Sequence, residues 1–218
     1  MIARIALCVA LLGSTVTLAD PSGRRWGLQP CGSGCGSTTT CVDGRCVPVF
    51  RQAASVDNSG ATSIKGGVAY SSIVSRTATA FTAWTKSRVN CNTNYNVSQG
   101  STFATPGGIT AVDGDDNRNS IIWLSGTSWR HLQNELALTT TTYTTGDNLI
   151  IDADMELNNN ITWSDAQAAN TFDPESVILH EAGHFAGLAH SQGGSAVMFA
   201  TVNPATNKGV LTQYDQDD

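Results

Sequence analysis

The chain has 218 residues, of which only 14% are charged, with 12 Lys and Arg against 18 Asp and Glu for a formal net charge of −6. That length fits one domain of ordinary size plus a small extension. The charge is uneven: residues 1–89 carry nine basic and three acidic side chains, and residues 90–218 carry three and fifteen, so the two parts stand at +6 and −12. An acidic body argues against nucleic acid as a partner, because phosphate contacts need Lys and Arg; it suits calcium and a plain solvated surface equally.

In chain order, Met1 to Arg4 make a short positive start, Ile5 to Leu12 an apolar run, and Thr17 and Ala19 small residues at a cleavage-like spacing. This is the pattern of a secretory signal peptide over residues 1–19, and it predicts a secreted, extracellular protein. The rival is an uncleaved anchor, but the run is shorter than the roughly 20 residues that span a bilayer, and no later stretch is apolar enough to do so. No membrane partner is expected.

Residues 20–60 form a cysteine-rich region. Cys31, Cys35, Cys41 and Cys46 fall among Gly, Ser and Thr, and after an export signal they read as a small disulfide-stapled knot with three possible pairings. With Cys8 removed, the remaining chain holds five of the six cysteines, so one is left over, Cys91 or a member of the knot. The polar stretch from Arg51 to Gly67, with its Ser-Gly and Gly-Gly steps, reads as a linker, and a main domain is expected over residues 61–218.

Val68, Ala69 and Tyr70 suggest a short first strand. Ser71 or Ser72 then caps a predicted helix to about Lys86, with Ile73, Thr77, Ala80 and Trp84 at helical spacing beside Val74, Ala78 and Phe81. Strands are predicted near Thr110–Val112, Ser120–Leu124, Ala137–Tyr143 and Leu149–Leu157. In the last, Ile151, Ala153, Met155 and Leu157 alternate with Asp152, Asp154 and Glu156. Asp113, Asp115 and Asn117 alternate in a turn that could hold calcium, although no glutamate stands where an EF-hand needs one. Asp173 as N-cap, Pro174 at the first helical position and Glu175 at the positive end of the dipole open a second helix.

That helix carries the densest chemistry in the chain. Residues 180–190 read His-Glu-Ala-Gly-His-Phe-Ala-Gly-Leu-Ala-His and hold three of the four histidines. His180 and His184, four apart, share one helix face. Gly187 can end the helix in a left-handed turn that returns His190 as a third ligand. Three nitrogens and one open position make a catalytic zinc site, whereas structural sites close all four. The chance of this spacing arising from the chain's own composition is roughly two in a million.

The motif resembles the metzincin zinc endopeptidases. Met198 is placed for the methionine turn that such chains carry beneath the metal. Ser191 after the third histidine, and the distance from His190 to Met198, resemble the matrixin branch; Ala200 departs from the tyrosine of the astacin and serralysin branches.

The resemblance implies an α/β, zincin-like domain: a twisted, mostly parallel five-stranded sheet with an antiparallel edge strand, an active-site helix and a backing helix. It implies His180, His184 and His190 as zinc ligands and Glu181 as general base in a secreted endopeptidase that cleaves peptide bonds with metal-activated water. Its partners would be protein or peptide substrates, with a monomeric enzyme. Ile150 to Asp154 resembles the matrixin segment that binds a second zinc and calcium; Ile150 replaces the family's histidine, which leaves Asp152 and Asp154 as calcium candidates. Cys46, between Arg45 and Pro48, loosely resembles the family's switch cysteine, with a plain disulfide as the other reading. The different-class alternative for the whole chain is an exported cysteine-stapled binding module whose zinc site is inactive or acts on something other than peptides.

Overall fold

A computed structural model describes residues 2–10, 25–26, 30–35, 39–42, 44–53, 64–87, 98–99, 119–146 and 148–216. Its strands are β1 (Ile2–Ala10), β2 (Arg25–Trp26), β3 (Thr39–Val42), β4 (Arg45–Ala53), β5 (Ser98–Gln99), β6 (Asn119–Leu124), β7 (Glu135–Thr144) and β8 (Leu149–Asn158). The helices are α1 (Tyr70–Ser87), α2 (Pro174–Phe185) and the single turn α3 (Gln213–Gln216).

The centre of the sheet is five-stranded and mostly parallel. β5, β4, β6 and β8 run the same way, and β7 closes the row antiparallel to β8. The predicted architecture of a mixed α/β domain with a mostly parallel sheet, an antiparallel strand and two main helices is therefore present. β3 folds back on β4 as a hairpin, and β2 pairs briefly with the start of β8. β1, which lies within the expected leader, runs antiparallel along the outer side of β7, from Ile2 opposite Thr144 to Ala10 opposite Glu135. A long strand edge offers unpaired main-chain groups to any extended segment, and here β1 takes them.

Several local expectations change. Val68 and Ala69 form no strand, and Tyr70 already begins α1. The first strand of the central sheet is instead β4, which pairs with β6 from Phe50 to Ala53. The boundary expected at residue 61 thus falls after a strand that the sheet already contains, and Arg51–Ala53 of the expected linker belong to β4. The strand expected at Thr110–Val112, the turn of Asp113, Asp115 and Asn117, and Cys91 lie outside the described residues.

β8 alternates as expected only over part of its length. A register shift sets Thr142 opposite Asp152 but Tyr143 opposite Ile150. This bulge changes which face the strand presents, so Ile150 rather than Ile151 joins Ala153, Met155 and Leu157 in the core. The acidic face of β8 is shielded as well: Asp152, Asp154 and Glu156 are all buried, where alternation alone suggests a solvated polar face.

The helices pack where their apolar stripes direct them. Ile73, Thr77, Ala80, Phe81 and Trp84 are the buried face of α1. Phe81 stacks on Phe50 of β4 with ring centroids 4.6 Å apart and meets Phe185 of α2 edge-on at 5.0 Å. The Trp84 indole N–H donates to the Leu179 carbonyl at 2.8 Å, so α1 braces α2 by both packing and a buried hydrogen bond. No helix among the described residues is long and apolar enough to cross a membrane.

Candidate metal centre and active site

The start of α2 is fixed by its own sequence. The Asp173 carboxylate accepts from the Ser176 N–H at 2.9 Å and the Ser176 hydroxyl at 2.6 Å, with Pro174 at the first helical position and Glu175 in the first turn. The end is fixed by Gly187, whose φ of 94° lies in the left-handed region that favours glycine. Its N–H donates to the His184 carbonyl at 2.9 Å, and the Leu188 N–H reaches back to the Gly183 carbonyl at 3.0 Å. These two bonds form a Schellman motif, which turns the chain so that His190 faces the helix it has just left.

The three imidazoles converge. Ring centroids lie 4.6 Å apart for His180 and His184, 5.3 Å for His180 and His190, and 4.8 Å for His184 and His190. One ligand atom from each falls within 4.8 Å of the others, and the Nε2 atoms of His184 and His190 are 3.2 Å apart. The Nδ1 positions are oriented by main chain: His180 Nδ1–H donates to the Val197 carbonyl at 2.6 Å, and His184 Nδ1–H to the Leu188 carbonyl at 2.8 Å. With the proton on Nδ1, each Nε2 presents a lone pair inward, the tautomer a metal requires.

Electrostatics favour the same state. Burial pushes His180 down from 6.5 to about 3, with a smaller contribution from His190, and the bond to Val197 opposes this. Burial also lowers His184 well below its ordinary value, and lowers His190. The rings are neutral ligands at physiological pH. Glu181 is fully buried, and burial pushes its carboxyl up from 4.5 to about 8, partly offset by a hydrogen bond from Thr139. The Thr139 hydroxyl donates to Glu181 Oε2 at 2.5 Å. His180 Nε2 and Glu181 Oε1 are buried atoms with no hydrogen-bond partner among the described residues.

This donor set fits zinc. Two ligands about 2.0–2.1 Å from a tetrahedral ion sit about 3.3 Å from each other, close to the spacing of the two Nε2 atoms. A buried imidazole nitrogen lacking a partner is costly, and a bound cation would remove that cost.

Met198 lies against the helix between the first two histidines, where a Cβ added to Gly183 would collide with its sulfur. Its loop is held from both sides. Met198 N–H donates to the buried Asp215 carboxylate at 3.0 Å, and Ser191 N–H donates to the Met198 carbonyl at 2.9 Å. The Lys208 ammonium donates to the carbonyls of Gly194 at 2.9 Å and Ala196 at 3.1 Å. The loop in turn presents the Val197 carbonyl to His180. Thr139, Lys208 and Asp215 are not among the predicted site residues. Each reaches the site from at least 12 positions away, and no local motif marks it.

The remaining candidates fall elsewhere. Cys46 is bonded to Cys35 and Cys31 to Cys41, so the disulfide reading holds at position 46 and no thiol is there to act as a switch. Among the described residues, the metal-type clusters of three are Cys31, Cys35 and Cys46 of the knot and the three histidines. Asp152 and Asp154 are in neither. Asp154 accepts from the Ser120 N–H at 2.9 Å, a strand-to-strand role. Asp113 and Asp115 lie outside the described residues. His131, the fourth histidine, is 2.9 Å from the Glu156 carboxylate.

Residues 129–218 match the model of the matrixin family. That span contains β7, β8, α2, the three histidines, Glu181 and Met198. A relative, Metalloendoproteinase 1 of Glycine max, is 46% identical over 48 residues, which is 22% of this chain and 16% of that protein. The chain therefore covers under a fifth of the length of the curated relative it matches. Over those residues the chain is similar to the matrixins.

Proposed function

We propose that this matrixin-like chain is a secreted zinc endopeptidase that hydrolyses peptide bonds in protein or peptide substrates. The observation that carries the reading is the convergence of three neutral imidazoles, two buried and one half-buried, beside a buried carboxylate that keeps one oxygen unengaged. The match to the matrixins and the likeness to a metalloendoproteinase support peptides as the substrate class. The leader-like start and the two disulfides support export. The acidic balance favours neither nucleic acid nor an anionic membrane surface as a partner.

His180, His184 and His190 would hold the ion. Zinc, when bound, supplies Lewis acidity that makes water nucleophilic near neutral pH and stabilises negative charge on the carbonyl oxygen. Val197 and Leu188 hold two of the ligand rings in the required tautomer. Glu181 accepts the proton of the attacking water and passes it to the leaving amine nitrogen. No side chain of the site has to become acylated on this route.

The test is digestion of casein by the full chain. Wild type should cleave it, a zinc chelator should abolish cleavage, and added zinc should restore it. Glu181→Gln should keep its metal and lose activity by about 100-fold or more, the range of general acid–base contributions. Full activity in the Glu181→Gln variant, or activity that survives chelation but not a serine-directed reagent, would refute the reading.

A further inference from the structure

Thr139 lies in the middle of β7, on a strand paired with β8 through Met155 and with β1 through Leu7. It is fully buried, and both acceptors near its hydroxyl belong to Glu181: the carboxylate Oε2 at 2.5 Å and the backbone carbonyl at 3.4 Å. The other carboxylate oxygen, Oε1, is buried and has no partner among the described residues. The two oxygens of the base are therefore unequal before any substrate arrives.

We propose that Thr139 is a positioning residue for proton transfer: its hydroxyl occupies Oε2 and leaves Oε1 as the oxygen that takes one proton from water and returns it to the amine. This rests on the reading of Glu181 as the base. Three properties suit the residue to that task. Its backbone is held within β7 by pairing with Met155 of β8, so the hydroxyl does not depend on a mobile loop for its position. Its β-branched side chain has few rotamers available. A hydroxyl donor can stay on Oε2 whether or not Oε1 carries the proton, so the carboxyl group need not rotate between the two halves of the transfer. A carboxylate held by one donor in a dry site meets the requirement that dipoles be oriented before the reaction starts.

The test compares Thr139→Val, which keeps the shape and removes the hydroxyl, with Thr139→Ser, which keeps the hydroxyl, in the full zinc-loaded chain on a fluorogenic peptide. The loss of one hydrogen bond to a charged group predicts that T139V lowers kcat by about 10- to 100-fold, with KM within about twofold and zinc stoichiometry unchanged. T139S should return kcat to within about threefold of wild type. A second readout is independent of turnover. In metal-free protein carrying 13C-labelled glutamate, the Glu181 carboxyl resonance, identified by its loss in Glu181→Gln, should move in T139V and revert in T139S.

Wild-type kcat in T139V overturns the proposal, as does a serine variant no better than the valine one or a Glu181 resonance that ignores the hydroxyl. Should T139V fail to fold, T139S decides alone, since loss of kcat or a displaced resonance there also overturns it. Activity surviving in Glu181→Gln would instead defeat the general-base reading, and the resonance comparison between wild type and the Thr139 variants would still report the hydrogen bond.

Discussion

His180, His184 and Glu181 are ionisable side chains with almost no access to water, and their protonation ties stability to pH. In the metal-free protein the histidines stay neutral far below 6.5, while in the unfolded chain they protonate near 6.5. The unfolded state then binds more protons, so stability falls as pH drops below about 6.5. Glu181 acts in the opposite sense: its folded value is raised to about 8 from 4.5, so the folded state binds the extra proton between those values and stability declines as pH rises through them. Three histidines outweigh one carboxyl below 6.5, and the carboxyl acts alone above it. Thermal midpoints of chelator-treated protein should therefore peak near pH 6.5–7, and Glu181→Gln should remove the decline on the alkaline side. An unchanged alkaline decline in that variant would mean that Glu181 is not buried as described. At this scale the three histidines and Glu181 are legible in the sequence because they fit into one helix and its turn. Thr139 is not, because it stands in a run of four threonines and 42 residues from its partner. Only the pairing of β7 with β8 determines which threonine faces the helix.

Helix α2 shows which parts of an element local chemistry specifies. Its cap at Asp173, the adjoining proline and the glycine that ends it all act within a few residues, and all are readable in the sequence. The groups that lie against it are not. Gly183 appears in the motif as a residue between two ligands, and its role emerges only from the approach of Met198 and Trp84, which would both crowd an added Cβ. Gly183→Ala sets two effects against each other. Alanine favours a helix interior by about 1 kcal/mol, whereas overpacking a filled core costs about 1–3 kcal/mol. Met198 and Trp84 are 2% and 1% exposed, which leaves them little room to yield, so the packing cost should win. Denaturant titration should show a net loss of up to about 2 kcal/mol together with weaker metal retention; a stabilised protein with intact zinc would show that the methionine is free to move aside. Strand β8 gives the converse lesson. Its alternation is visible in the sequence, but the bulge that brings Ile150 into the core depends on the register with Tyr143, and the burial of Asp152, Asp154 and Glu156 on the other face is not readable from the alternation.

For the molecule as a whole, the metal motif and the order of helix and strand patterns indicate the fold class, but the sequence patterns misplace the beginning of the sheet. The cysteine knot looks separable because its composition differs from that of the remaining chain. Yet Cys46, bonded to Cys35, is part of β4, and the same strand supplies Phe50 to the core against Phe81. Disulfide knot, central strand, backing helix and metal helix are thus one connected structure. The elements that brace the site are spread along it, from Trp84 on α1 to Lys208 and Asp215 near the end of the described chain. On the proposed reading this arrangement holds three imidazole nitrogens around a single ion. The most direct test is metal analysis of the purified full chain combined with X-ray absorption at the zinc edge. The account predicts one zinc per chain bound through three imidazole nitrogens at about 2.0–2.1 Å, with binding lost in His184→Ala. A chain that retains no metal, or one whose metal shows sulfur neighbours near about 2.3 Å, would contradict it.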